Sequence, residues 1–297
     1  MMREDLLLLS GAIDIHVHSG PDLYPRIQDH VELAESARAV GMRAIVIKSH
    51  NFPTAAHAVA TSKAVPGIDL FGGIALNLHV GGVNPVAVEA ALKYGAKQVW
   101  FPTVDSCNHA ALVGGEIGQH GKGLVIPGGL SQYTLSQPRI HIIGSDNSLS
   151  PEVREILRLI AEAKVILNVG HMSFAEMDQL LLAARAAGVK KMVVDHPFFS
   201  QLSLEQQEKL AARGALINYT AGELLPRWWR VKVEDFAAGI RRIGVARMVL
   251  SSDAGQLHNP TPVESLRVMV QLLLEEGFST AEIRTMLHAN PAKLLYE

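Results

Sequence analysis

A rhythm in the apolar residues constrains this chain more than any other feature. Eight short, β-favouring runs (12–18, 44–48, 70–77, 98–103, 165–169, 191–195, 215–219 and 247–252) alternate with longer segments whose apolar positions recur at helical spacing (28–40, 54–63, 85–94, 108–118, 151–163, 174–187, 204–213, 233–243 and 262–276). Many of the helical segments stop at a glycine just past the last apolar position: Gly41, Gly95, Gly188, Gly214, Gly244 and Gly277. Glycine takes the left-handed conformation that closes a helix at no steric cost. A strand followed by a helix, eight times over, predicts a closed parallel (β/α)8 barrel of the TIM type, one domain spanning residues 1–297. Neither GxGxxG nor GxxxxGK[ST] follows the first run, which argues against an open doubly wound sheet. The stretch at about 121–150, rich in Gly, Pro, Ser and Gln, breaks the rhythm after strand four. It reads as an insertion over one end of the barrel, placed to act as a lid.

Charge and cysteine usage narrow the function classes. With 27 basic against 29 acidic residues and no block of like charges, nothing electrostatic predicts a nucleic-acid or membrane-surface partner. The one cysteine, Cys107, forms neither an internal disulfide nor a thiolate metal site, which fits a reducing compartment. Leu6 to Leu9 are too short for a signal-peptide core, and no apolar run approaches the ~20 residues of a membrane span. The expectation is a soluble cytoplasmic protein. Its 48% hydrophobic residues and few charges suit a homo-oligomer.

Barrels of this type carry their chemistry where the strands end. Run one ends in Asp14-Ile15-His16-Val17-His18, and strict alternation puts His16 and His18 on one face with Asp14 while Ile13, Ile15 and Val17 face the helices. Run five leads into Gly170-His171, run six into Asp195-His196, and run eight into Ser252-Asp253. Any one of these has an ordinary explanation, a hydrogen-bonded core histidine or a helix cap. Four imidazoles and a carboxylate in one apolar mouth are costly to desolvate unless a cation organises them, so His16, His18, His171, His196 and Asp253 predict a metal site.

This ordered set resembles the amidohydrolase superfamily, and the likeness covers essentially the whole chain. The ending His288-Ala289-Asn290-Pro291-Ala292-Lys293-Leu294-Leu295 is similar to the closing helix of many members. With the first barrel strand starting near residue 12, the β-sandwich appended in some members is not expected here. The resemblance implies one or two divalent metals in a barrel mouth. It also shows a departure: the lysine or glutamate that bridges two metals from strand four has no counterpart in Trp100-Phe101-Pro102-Thr103-Val104-Asp105. That favours a single metal, or a second one bridged by Asp105 or by a carboxylated Lys48. Lys48 alternatively anchors an anionic substrate. Arg26, His50 and His109 are candidates for substrate contact, Asn77, His79 and Asn108 weaker ones with capping as the plain alternative, and Trp228, Trp229 and Tyr219 for a pocket wall.

By resemblance, the chemistry is metal-dependent hydrolysis of an amide, cyclic amide, lactone or related bond in a small molecule, with Asp253 as proton acceptor and His196 polarising the carbonyl or holding a second metal. Imidazole and carboxylate ligands suit Zn first, with Mn, Fe or Ni as alternatives. A metal-dependent decarboxylase on the same scaffold is the main rival, with Arg26 or Lys48 holding the carboxylate. A phosphoesterase fits less well, for want of further acidic ligands. A barrel that binds metal or ligand without turnover is the alternative from another class, and it has no need of a general base such as Asp253.

Overall fold

In the computed structural model, which describes residues 3–117, 119, 124–144, 148–227 and 231–297, eight parallel strands lie in one sheet in sequence order. They are β1 (Ile13–Val17), β2 (Ala44–Ile47), β3 (Asp69–Ala75), β4 (Gln98–Trp100), β5 (Ile166–Asn168), β6 (Met192–Asp195), β7 (Leu216–Thr220) and β8 (Met248–Ser251). Seven ladders join β1 through β8. Between β8 and β1 the backbone bonds Asp253 N–H to His16 C=O (2.8 Å) and His18 N–H to Ala254 C=O (2.9 Å) close the barrel. The predicted (β/α)8 barrel is therefore the observed fold. Among the described residues no helix is long and apolar enough to cross a membrane.

Two apolar layers hold the barrel. The outer layer buries helix faces such as Val153, Ile156 and Ile160 of the helix Pro151–Ala163 against outward strand residues such as Ile45, Leu167 and Leu250. The inner layer takes Ile13, Ile15, Val46, Ala75, Trp100, Ile166, Val193 and Val249 from seven strands, and Leu294 and Leu295 join it from the C-terminal helix Asn290–Tyr296.

Strict alternation fails on β1. The register slips between Asp14 and Val17, three residues on β1 opposing two on β2. This bulge lets Ile15 join the inner layer while the next residue, His16, also turns inward. Ile13 and Ile15 thus face the interior rather than the helices, contrary to the pattern read from sequence. Asp14 takes up the backbone donors that the bulge disturbs, accepting from His16 N–H (3.0 Å) and Ser252 N–H (3.2 Å). A bulge that re-aims a side chain beside a site is a common use of the motif.

The described part of the 121–150 stretch lies against the loops of the early strands. Leu124, Ile126 and Leu130 pack on Tyr24 of the β1 loop, and Arg139 donates to Val104 C=O and Gly115 C=O.

Candidate metal centre

Five imidazoles form a closed ring across the strand ends. Ring centroids lie 5.4 Å apart for His16 and His18, 5.0 Å for His18 and His50, 6.0 Å for His50 and His171, 4.8 Å for His171 and His196, and 5.6 Å for His196 and His16. β1, β2, β5 and β6 or their loops supply them. On one side of the ring three donor atoms converge: Asp253 Oδ1 is 3.1 Å from His16 Nε2 and 3.2 Å from His18 Nε2.

Each of these two imidazoles is held by its other nitrogen. His16 Nδ1 lies 2.8 Å from Asp195 Oδ2, and His18 Nδ1 lies 2.9 Å from the Lys48 carbonyl oxygen. Asp195 is itself fixed from below, accepting from Trp100 Nε1 on Oδ2 (3.1 Å) and from Asn218 Nδ2 on Oδ1 (2.7 Å). Asn218 in turn bonds Ser251. A buried polar layer therefore supports the ring.

The backbone is strained at the same place. His196 (φ 31°) and Asp253 (φ 46°) both adopt left-handed conformations that ordinary residues avoid. Backbone bonds hold them there: His196 N–H to Asn218 C=O, and Asp253 N–H to His16 C=O. Two glycines let the loops approach. At Gly170 (φ 65°) a Cβ would sit 2.2 Å from Phe101 O, and at Gly255 (φ 124°) 1.9 Å from His18 O.

Charge is concentrated with little solvent around it, the imidazoles being buried and Asp253 partly exposed. Burial pulls the His16 imidazole down, but the Asp253 and Asp195 carboxylates outweigh it and raise its pKa to about 9. Burial, with the Arg26 cation beside it, holds His18 well below its ordinary value and so neutral. His196 is pulled to about 4 by burial. Asp253 stays well below the usual carboxylate range, the neighbouring imidazoles overcoming its desolvation. Lys48 Nζ sits 3.0 Å from His16 Nε2 and 5.4 Å from the centre of the Trp100 ring, and burial lowers its pKa to about 8.

The remaining predicted residues divide. His171 stands next in the ring and pairs its Nδ1 with His109 Nδ1 at 2.9 Å. His109 stacks on His171, while the capping that its position suggested is done by Ser106. Asn108 steadies the β5 loop through His171 C=O and Met172 C=O. His50 bonds Thr103 Oγ1 (2.9 Å). The Arg26 side chain is buried rather than solvated, but its Nη2 is already paired with Asp22 Oδ2 at 3.0 Å and lies 3.2 Å from His18 Nδ1. Asp105 turns to the Leu78 amide (2.9 Å) and Arg139 (3.7 Å), so it serves the β3 loop rather than the three-donor group. Tyr219 donates to Gln207 and packs on Phe236 within the core. Trp228 and Trp229 lie outside the described residues. Reading the strand ends missed Asp195, whose inward direction follows from its parity with Val193, and missed Asp22, the partner of Arg26, for which the sequence carries no signal.

The donor set fits one divalent ion. Ligands at the usual zinc distances of about 2.0–2.2 Å in a tetrahedron stand roughly 3.3 Å apart, close to the two separations observed. Both imidazoles present Nε2 with Nδ1 engaged, as ligating histidines do.

Among known families, the one described as a family of unknown function (DUF6282) matches residues 11–218. No curated protein matches the sequence. Solved structures share its fold at low identity. An amidohydrolase from Pseudomonas aeruginosa is 15% identical over 98% of this chain and 97% of its own, with a TM-score of 0.61. The β-aspartyl dipeptidase from Fervidobacterium islandicum is 16% identical over 96% and 72%, with a TM-score of 0.62. The organophosphorus hydrolase from Deinococcus radiodurans is 13% identical over 97% and 93%, with a TM-score of 0.58. What these structures share with the chain is the (β/α)8 barrel architecture.

Proposed function

This chain belongs to DUF6282, a family of unknown function, and from its own residues we propose that it is a metal-dependent hydrolase acting on an amide, cyclic amide, lactone or related bond of a small molecule. The observation that carries this is the convergence of His16 Nε2, His18 Nε2 and Asp253 Oδ1 in a strained, buried barrel mouth.

His16, His18 and Asp253 would hold one divalent ion, zinc first, with Mn, Fe or Ni as alternatives. Such an ion supplies Lewis acidity and makes water a nucleophile near neutral pH. Asp253 keeps its carboxylate ionised and so accepts a proton from the attacking water. Its second oxygen lies beside Gly222, whose lack of a side chain keeps that flank open. Asp195 fixes the His16 ring so that Nε2 faces the centre. His196, the ring neighbour of His16, and His171 beyond it would line the space for the carbonyl and polarise it, or hold a second ion. Lys48 is near enough to His16 to stabilise developing negative charge, or to bridge two ions once carboxylated. The decarboxylase reading is weaker here, because Arg26 already has Asp22 as its counter-charge. The enzyme is proposed to be soluble, cytoplasmic and homo-oligomeric.

The test is turnover of a panel of lactones, cyclic amides and nitrophenyl esters by zinc- or manganese-loaded protein, beside the chelator-stripped protein and Asp253→Asn. Hydrolysis lost in both controls is expected. Carbon dioxide release from small acids without hydrolysis, or turnover indifferent to chelation, would overturn the proposal.

A further inference from the structure

Four loops on the β1–β4 side of the mouth each present a polar atom that has no hydrogen-bond partner among the described residues. They are Tyr24 Oη, Asn51 Oδ1, His79 Nε2 and Asp105 Oδ1. Tyr24, Asn51 and Asp105 are buried, at 1%, 5% and 0% exposure. The rest of each side chain is fixed. Asn51 Nδ2 donates to His79 Nδ1 at 3.1 Å, which makes Nδ1 the acceptor and leaves the ring proton on Nε2. Asp105 Oδ2 accepts the Leu78 N–H.

These atoms belong to one neighbourhood. Asp105 accepts from Leu78, the residue before His79, His79 bonds Asn51, and Asn77 donates to the carbonyl of His50, the residue before Asn51. Tyr24 stands edge-on to His50 at 6.0 Å, and His50 is the ring neighbour of His18. The cluster thus begins one imidazole away from the three-donor group.

Leaving a buried polar group unmatched costs on the order of 1–3 kcal/mol, so folds keep few of them, and a cluster beside a reaction centre calls for a ligand. We propose that these four residues form the subsite for the non-reacting end of the substrate, and that this end is an uncharged amide-type edge carrying both N–H and C=O. Asp105 Oδ1 and Asn51 Oδ1 accept from its N–H groups, while His79 Nε2–H and Tyr24 O–H donate to its carbonyl. Arg139, 3.7 Å from Asp105 Oδ1, balances the carboxylate and so favours a neutral edge over an ammonium. That the bound molecule is a substrate rests on the hydrolase reading; the binding does not.

The test uses full-length protein stripped of metal, titrated by calorimetry with four probes that share one body: benzamide, methyl benzoate, benzoate and benzylamine. Benzamide should bind at least tenfold more tightly than the other three. Tyr24→Phe removes a hydroxyl that has no protein partner, so it should leave the melting temperature unchanged or raised while weakening benzamide about fivefold or more. Asp105→Asn should weaken benzamide as well, and the 15N signal of His79 should shift on benzamide addition in the unmutated protein. Equal binding of benzamide and methyl benzoate, tightest binding of benzylamine, or a Tyr24→Phe variant with unchanged affinity would each overturn the assignment. Retained benzamide binding in a protein that hydrolyses nothing when metal-loaded would sink the hydrolase reading and leave the subsite standing. Turnover that survives while benzamide fails to bind would do the reverse.

Discussion

Asp195→Asn is the perturbation that separates support of the centre from the centre itself. The carboxylate serves three buried groups: His16 Nδ1 at 2.8 Å and Trp100 Nε1 at 3.1 Å on Oδ2, and Asn218 Nδ2 at 2.7 Å on Oδ1. An amide offers one oxygen and one NH2, so in either orientation at least one buried N–H faces another. The cost of that mismatch is about 1–3 kcal/mol of stability. With the NH2 toward His16, Nδ1 must become the acceptor and the proton moves to Nε2, the atom needed for the metal. With the oxygen toward His16, the imidazole still loses its charged partner. Removing such a support lowers metal affinity about 10- to 100-fold, equivalent to roughly 1.4–2.8 kcal/mol. Competition for zinc against a chromogenic chelator, with urea unfolding of the stripped protein, measures both effects. Asn218→Ala is the control, since it removes a partner of Oδ1 and leaves the His16 contact intact. It should lower stability yet keep zinc affinity within about threefold of the parent, below the 10-fold loss expected at a supporting residue. An Asp195→Asn variant that binds zinc as tightly as the parent, or loses no more affinity than Asn218→Ala, would refute the reasoning.

Two further predictions concern the fold around the site. Burial raises the Glu223 carboxyl to about 8 from an ordinary value near 4.5; its Oε1 accepts the Phe199 N–H at 2.8 Å. Between those two pH values the folded chain keeps a proton that the unfolded chain has released. Stability therefore falls as pH rises through this window, by up to about 1.4 kcal/mol per pH unit from this group, and the loss is complete above pH 8. In metal-stripped protein, Glu223→Gln should flatten that decline, and parallel slopes for the two proteins in urea melts from pH 5 to 9 would contradict it. At Gly239, in the helix Val233–Ile243, a Cβ would lie 2.0 Å from Tyr219 Oη, whose hydroxyl donates to Gln207 at 2.7 Å. Gly239→Ala should thus destabilise by about 2 kcal/mol despite alanine's better helix propensity, with Tyr219→Phe restoring part of the loss. A Gly239→Ala variant more stable than the parent in denaturant would show that the helix shifts freely.

Much of the architecture is legible in the residues because each barrel strand is an apolar run long enough to recognise, and because the helix 151–163 announces its start with Ser150-Pro151 and the helix 233–243 its end with Gly244. The rim residues His16, His18, His196 and Asp253 were readable for the same reason: each terminates such a run. The bulge in β1 was not, since alternation assumes a regular pleat and nothing local announces that Asp14 will bond the His16 and Ser252 amides instead. Asp195 was within reach, being two residues from inward-facing Val193, but attention to strand ends alone gave the chemistry to His196. Arg26 looked available because its partner Asp22 is recognised only once the loop folds back on itself. Tyr24, Asn51 and Asp105 acquire meaning together only when four separate loops meet, and that depends on tertiary structure.

The central claim, that His16 and His18 anchor a metal, is tested most directly by plasma mass spectrometry of untagged protein beside the His16→Ala/His18→Ala double variant, with circular dichroism confirming that both are folded. About one transition-metal ion per chain in the parent and none in the folded variant is the predicted result. No metal in the parent even after incubation with zinc or manganese, or equal metal in both proteins, would contradict it.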